Sequence, residues 1–280
     1  TGAIVQRDGM WTTDLAPGEI GLPEGVRDVV GRRLSRLSDD VNGLLTVAAV
    51  VGREFDLATV TTAGRFERDA ALDLIDAALA TGLVIEVPHQ TGSYAFSHAL
   101  VRQTLEEEIS GPKRARLHWR VGEALAAQRE APRTAVAFHL CEGVLAGDAG
   151  TAAEAAVDAA DEASMIGAAE KARSVAARAL EVLHDADEQR PDLECRAQLV
   201  IGETLAVMQL DYPAARVAVL AAADIAQTHR WPELAGRAAL AYGRLFVPGA
   251  IDPVNARLVR AALDLGGSGD LRLPLLAAEA

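Results

Sequence analysis

The second half of this sequence is a succession of alanine-rich helical segments separated by short breaks. Alanine supplies 56 of the 280 residues, and apolar residues recur at helical spacing without the alternation of strands. Glycine, proline and aspartate mark the breaks, and connections this short make consecutive helices antiparallel. The helices predicted in this half cover residues 114–128, 135–145, 151–167, 168–183, 193–210, 214–228 and 233–244.

These helices pair at a spacing of about 35 to 40 residues, which is typical of tetratricopeptide-type arrays. Each pair in such an array buries its apolar face only against its neighbours, and small side chains allow close packing. We therefore predict helical hairpins over 112–190 that lead into a tetratricopeptide-like superhelical array over 191–280. The glycine-rich segment 266–269 and the apolar end of the sequence suggest that the array is truncated.

The first part of the sequence changes from helical to strand periodicity. Helices are predicted at about 23–37, 39–51, 56–64 and 67–80, with Ser38, Asp56 and Glu67 at helix starts. The last of these helices is expected to bury an apolar stripe formed by Ala70, Leu72, Ile75, Ala78 and Leu79. Residues 83–87 and 94–96 read as two strands joined by a turn, and a further helix follows from 98 to 109, capped by Ser97. Helices followed by a hairpin predict a winged-helix domain over 22–111. The whole fold is then all-α with a small β wing, preceded by a short hairpin within 1–21.

The charge balance argues against binding of nucleic acid or anionic membrane. Lysine and arginine number 27 against 40 acidic residues, for a net charge of −13. The helix in the position that would read a DNA groove carries four acidic residues and one basic residue: Glu67, Asp69, Asp73 and Asp76 against Arg68. We therefore expect no direct DNA contact by this sequence. The basic run 113–120 is interpreted as a solvated helix face over a buried stripe formed by Leu117, Val121 and Leu125.

Motifs of catalysis and metal binding are absent from the sequence. It contains no HExxH, GxSxG or P-loop pattern, and Gly266–Asp270 lacks the Lys-Ser/Thr of a nucleotide loop. Cys141 and Cys195 stand alone, which argues against a zinc site and a disulfide framework and favours a reducing compartment. We expect no catalytic residue, no metal ligand, no cofactor bound by this sequence alone, no membrane span and a cytoplasmic location.

Three segments carry a resemblance to a known family: residues 22–34, 48–56 and 94–102. They resemble the region just after the AAA-type ATPase core in ATP-binding LuxR-type transcriptional regulators. They also resemble that region in adenylate cyclases that share the ATPase and repeat modules. Both groups belong to the signal-transduction ATPases with numerous domains (STAND). The resemblance covers roughly Thr1 to Leu183 and then fades into generic repeats.

The resemblance implies a larger protein in which the sequence is one part. The opening residues include no initiator methionine or leader pattern, so we interpret 1–21 as the tail of a preceding ATPase lid region. An ATPase core that binds ATP or ADP with magnesium is expected before Thr1. A DNA-binding helix-turn-helix is often found after the segment that ends here at Ala280.

His98 is the candidate site residue that the resemblance supplies. The segment Phe96–Leu100 is similar to the Met-His-Asp motif of related switch ATPases, whose histidine reaches the phosphates of bound ADP. His98 is thereby implied as a nucleotide-phosphate sensor, with Arg102 assisting one turn later. An imidazole at a helix N-terminus can add a donor to the positive end of the helix dipole. Ala99 replaces the aspartate of the motif.

The expected function is that of a regulatory fragment. It relays nucleotide state from its own ATPase core and binds a protein or small-molecule effector on the helical array, in a parent that regulates transcription. One alternative is the same module in a class III adenylate cyclase, which a catalytic domain upstream of the ATPase core would reveal. The other is a protein-interaction scaffold whose binding does not depend on nucleotide.

Overall fold

The computed structural model describes residues 5–7, 10–12, 31–208, 211–245, 252–266, 271 and 274. The chain is mostly helical with small antiparallel sheets, which confirms an all-α fold with a small β part. It divides into two compact units between Arg114 and Ala115, called unit 1 and unit 2 below. The limits 22–111, 112–190 and 191–280 stay predictions.

The part of unit 1 that the structure describes contains short strands and, after the helical residues 31–34, four helices that begin before residue 111. The strands are β1 (Val5–Arg7), β2 (Met10–Thr12), β3 (Glu54–Asp56), β4 (Val84–Glu86) and β5 (Ser93–Phe96). The helices are α1 (Asp39–Val51), α2 (Leu57–Gly64), α3 (Arg68–Ala80) and α4 (Ala99–Glu107).

The N-terminal hairpin is confirmed, because β1 pairs antiparallel with β2 and Arg7 lies opposite Met10. Most of the helix predicted at 23–37 lies outside the described residues, although residues 31–34 are helical.

Helix α1 forms the centre of the unit 1 core. Its N-cap is Ser38, whose hydroxyl accepts a hydrogen bond from the Val41 amide, as predicted. The helix is apolar on most sides, so it must be surrounded by other elements. Leu44 and Leu45 are fully buried, and α1 contacts α2, α3 and α4.

The hairpin of unit 1 belongs to a three-stranded sheet in the order β3–β5–β4. The pairing of β4 with β5 was predicted, but β3 was missed. Three residues are too few to show strand periodicity, and β3 pairs with a strand almost 40 residues later, with Phe55 opposite Tyr94. The Phe55 ring packs against Phe96 at a centroid distance of 5.4 Å.

Two details of unit 1 correct the sequence-based expectations. Ser97 does not cap α4, because its hydroxyl donates to the carbonyl of Leu83 and His98 is the N-cap. In α3 the buried side is Ala71, Ile75 and Ala78, whereas Leu72, expected in the apolar stripe, is 48% exposed.

Unit 2 is a run of antiparallel helices. Its elements are α5 (Gly111–Ala126, most of which lies in unit 2), α6 (Arg133–Glu142), a 3-10 turn (Val144–Ala146), α7 (Ala149–Met165), α8 (Ala169–Asp185), α9 (Pro191–Val207), α10 (Tyr212–Thr228), α11 (Pro232–Gly243) and α12 (Pro253–Asp264). Prolines predicted as breaks at 112, 191 and 232 instead lie in the first turn of helices, where no amide donor is needed. The helix α12 was not predicted. The stripe of α5 formed by Leu117, Val121 and Leu125 is buried, as predicted.

The helices of unit 2 alternate between two layers. From α6 onward each helix contacts its sequence neighbours, and α9 also contacts α7 on one side and α11 on the other. The starts of these three helices, Ala149, Pro191 and Pro232, follow one another at 42 and 41 residues. The repeat is therefore longer than the expected 35 to 40 residues.

Alanine and glycine set the distance between the helices of unit 2. The core between α7 and α8 includes Ala156, Ala160 and Ala176, each fully buried. Between α9 and α10 a Cβ atom on Gly202 would lie 2.4 Å from Val219 Cγ2 and 3.2 Å from the Ala215 carbonyl oxygen. Only a side chain without Cβ allows this approach.

Candidate functional site

The start of α4 is the first candidate site. Strand β5 ends at Phe96, and Ser97 donates both its backbone amide and its hydroxyl to the carbonyl oxygen of Leu83, at 3.0 and 3.1 Å. These bonds attach the end of β5 to the residue before β4. His98 follows in extended conformation as the N-cap of α4, and its side chain is exposed.

The α4 N-terminus differs from the other helix starts described in unit 1. Side-chain oxygens of Ser38, Asp56 and Glu67 accept amide hydrogen bonds at the starts of α1, α2 and α3. No side chain makes such a bond at α4, and its first turn contains no acidic residue. The Val101 amide already donates to the His98 carbonyl oxygen at 3.1 Å. The earlier amides of that turn and the positive end of the helix dipole therefore remain beside the imidazole of His98.

Arg102 lies one turn after His98 and is engaged within unit 1. Its Nε donates to the Ala49 carbonyl oxygen at 3.0 Å, near the end of α1. Its Nη2 lies 2.7 Å from Glu106 Oε1. The guanidinium therefore fastens α4 to α1, and it remains about one-third exposed.

A second arrangement, missed by sequence reasoning, connects the helices of one layer in unit 2. Arg196 Nη2 lies 2.7 Å from Asp161 Oδ2, and Arg237 Nη2 lies 2.7 Å from Glu203 Oε2. Each arginine is the sixth residue of its helix, and each acid is the thirteenth residue of the preceding helix in that layer. We call this repeated contact the Arg–carboxylate ladder. The shared separation of 34 to 35 residues is the signal in the sequence that could have revealed it.

Asp161 joins three helices through this ladder. Its Oδ2 accepts from Arg196 on α9, and its Oδ1 lies 3.2 Å from Arg237 Nη1 on α11. Burial works to lower the pKa of Arg237, but the hydrogen bonds and charges of Glu203 and Asp161 together outweigh it and raise that pKa above the ordinary value. The guanidinium therefore stays charged and paired.

Exposed apolar residues occur at equivalent ends of two helices in the same layer. Met165 and Ile166 at the end of α7 are 80% and 76% exposed. Val207 and Met208, 42 residues later at the end of α9, are 69% and 36% exposed. Large apolar side chains left in solvent at repeated positions are typical of a contact surface.

Groups suited to metal chemistry are not clustered in the part of the chain that the structure describes. No set of three or more His, Cys, Asp or Glu side chains there converges on a common point. His118 Nδ1 and His139 Nδ1 lie 3.0 Å apart and buried between α5 and α6. Burial raises the pKa of the Cys141 and Cys195 thiols to about 11, so both stay protonated.

None of the described helices combines the length and apolarity needed to cross a bilayer. Comparison with protein families, with curated proteins and with solved structures finds no match to this chain. The function proposed below therefore rests on the sequence resemblance and on the geometry of the chain itself.

Proposed function

We propose that this chain is the regulatory part of a STAND-type switch ATPase that relays nucleotide state and binds an effector. Unit 1 is a winged-helix domain in this proposal, and unit 2 belongs to a tetratricopeptide-like superhelix. The parent is a cytoplasmic LuxR-type transcriptional regulator whose ATPase core, outside this chain, binds ATP or ADP with magnesium. The observation that carries the proposal is the α4 N-terminus, which presents His98 without a side-chain cap.

The chemistry of the α4 N-terminus suits a phosphate group. Free amide donors and the helix dipole favour an anion there, and the exposed imidazole can donate a further hydrogen bond. The absence of acidic residues from the first turn of α4 removes repulsion that would oppose an anion. Ser97 and Arg102 hold the two ends of this segment against Leu83 and Ala49, so a contact at His98 would be transmitted to β4 and α1.

The test is ADP affinity of the full-length protein that contains this chain, compared between wild type and His98→Ala. A lost hydrogen bond to a charged phosphate should weaken ADP binding about tenfold. The matched control is His89→Asn, which alters an exposed histidine in the β4–β5 turn of the same unit. Asparagine tolerates the positive φ of 66° found at position 89. Unchanged ADP affinity and activation in His98→Ala would contradict the sensor role.

Binding of an effector or protein partner by unit 2 is favoured by the repeated exposed apolar residues. Met165, Ile166, Val207 and Met208 offer adaptable apolar surface at the same edge of successive repeats. If unit 2 were instead a scaffold independent of nucleotide, its partner would bind equally with ADP, with ATP and without nucleotide. A pull-down under those three conditions separates the two proposals. An adenylate cyclase parent would be recognised by a catalytic domain upstream of the ATPase core.

A further inference from the structure

Unit 1 contains a groove that the His98 site does not use. It lies between α2, α3 and the turn that joins β4 to β5, and its volume is about 560 Å³. That volume falls in the range of protein binding sites, roughly 300 to 1,000 Å³. The residues that line it include Leu57, Ala58, Thr61, Arg68, Leu72 and Gly92.

The walls of the groove are mainly apolar. Leu72 projects into solvent from α3 with 48% of its surface exposed, although burial of this leucine was expected. The Thr61 hydroxyl donates to the Leu57 carbonyl at 2.6 Å, which leaves its methyl group for the groove. Both carboxylate oxygens of Asp56 accept hydrogen bonds from Thr59. The Thr61 hydroxyl and the Asp56 carboxylate of the lining thus already have hydrogen-bond partners, and an apolar side chain can enter the groove without breaking these bonds.

The side of α3 next to the groove is acidic. Asp69 lies one helical turn before Leu72 and Asp76 one turn after it, so both neighbour Leu72 on the helix surface. Asp73 follows Leu72 directly in the sequence. All three carboxylates are exposed, and no ion pair among the described residues involves them. Glu86 adds to the negative charge on this side of unit 1. Burial is the main cause that raises the pKa of Tyr94, and the charges of Glu86 and Asp76 raise it further, so both carboxylates lie near that hydroxyl.

This combination selects among possible occupants. Nucleic acid and anionic lipid are repelled by the carboxylates of α3. A second copy of the chain offers exposed cations on α5 at Lys113, Arg114 and Arg116, but the apolar stripe of that helix is buried. That helix therefore has no apolar side chain to place beside Leu72, and the exposed apolar residues Met165, Ile166, Val207 and Met208 lie on other helices. An amphipathic helix with basic flanks supplies both the apolar anchor and the opposite charge.

We propose that the groove between α2 and α3 binds a basic amphipathic helix of a partner protein. One apolar side chain of that helix packs on Leu72, and its lysines or arginines face Asp69, Asp73 and Asp76. Arg68, the one cation of α3, lies in the groove lining, so the basic residues are restricted to the side of α3 that carries these carboxylates. This inference goes beyond the nucleotide relay and does not depend on His98.

The test uses this 280-residue chain and fluorescent peptides of about 16 residues, long enough to form a helix on the surface. One peptide carries leucines at helical spacing with flanking lysines, and a second replaces every lysine by glutamate. Fluorescence anisotropy should show binding of the basic peptide that weakens as salt is raised. The acidic peptide should not bind.

Variants then locate the contact. Leu72→Gln keeps helix propensity and should weaken binding of the basic peptide at least about fivefold. Asp73→Asn/Asp76→Asn should weaken it about threefold to tenfold at low salt and reduce the salt dependence. Ile85→Thr is the matched control, because Ile85 is 50% exposed in the same unit and does not line the groove. Its binding should equal that of wild type.

Several results would overturn the proposal. They are equal binding of the acidic peptide, no binding of the basic peptide by wild type, or an equal loss in Ile85→Thr and Leu72→Gln. Sedimentation would expose a second copy as the occupant, if wild type self-associates and Leu72→Gln does not. Binding of duplex DNA by wild type that Leu72→Gln abolishes would show that the occupant is nucleic acid and not a helical partner.

Discussion

The two units of this chain reach full burial with side chains of different size. In unit 1 the core consists of large residues such as Leu44, Leu45, Ile75 and Phe96, each at most 2% exposed. In unit 2 most core positions of α7, α8 and α10 are alanine. A sheet packed on helices leaves space that large side chains must fill, whereas alanine-faced helices approach until their backbones nearly touch. Substitutions that make a core side chain smaller should therefore destabilise unit 1 most, and substitutions that make one larger should destabilise unit 2 most.

The largest effect is expected from Phe96→Ala in unit 1. Phe96 is 2% exposed and packs on the Phe55 ring, so truncation leaves a cavity and should destabilise the protein by about 3–5 kcal/mol. Hydrogen exchange measured by region should show faster exchange in α1. Truncation of the half-exposed Leu72 to alanine is the control. A loss below about 1 kcal/mol for Phe96→Ala would mean that the large residues of unit 1 are loosely packed.

A change in stability of intermediate size is expected when a helical glycine is replaced by alanine, and the two units should respond with opposite sign. Gly202→Ala places a methyl group 2.4 Å from Val219 Cγ2 and should separate α9 from α10 at a cost of about 1–3 kcal/mol. Gly43→Ala in α1 meets no atom within 4 Å and should stabilise by about 0.5–1 kcal/mol. The free energy of unfolding measured in urea should fall for Gly202→Ala and rise for Gly43→Ala. If both variants gained stability, close helix approach would not explain the alanine-rich packing of unit 2.

The smallest loss of stability is expected in the Arg–carboxylate ladder. Asp161→Asn removes the charge shared by Arg196 and Arg237, at a cost of about 1–2 kcal/mol because the pairs are only partly buried. The loss should shrink in 1 M NaCl, where charges are screened beyond about 3 Å. Glu181→Gln, whose partner Arg178 lies on the same exposed surface of α8, should change stability by less than about 0.5 kcal/mol. Equal losses in both variants would show that the ladder adds nothing to unit 2.

Local signals in the sequence predicted most helices and little of their contacts. Helix α1 was predicted at about 39–51 and is found at Asp39–Val51, because Ser38 and Gly52 mark its ends by local chemistry. The start of α4 was misjudged, since the partner of Ser97 is Leu83 and not its own helix. Leu72 was assigned to the core by spacing alone, and spacing does not reveal which side of a stripe a neighbouring helix covers. His98 was named from a resemblance, and its placement at an uncapped helix start comes from the structure.

The sequence by itself determined the predominance of helices, the net negative charge and the positions of most helix ends, because these depend on composition and on residues within one turn. Tertiary structure decided the β3 pairing, the repeat length of 41 to 42 residues, the ladder through Asp161 and the exposure of Leu72. These features join residues far apart in the chain, and no local propensity specifies which distant surfaces meet. The groove between α2 and α3 belongs to this second group.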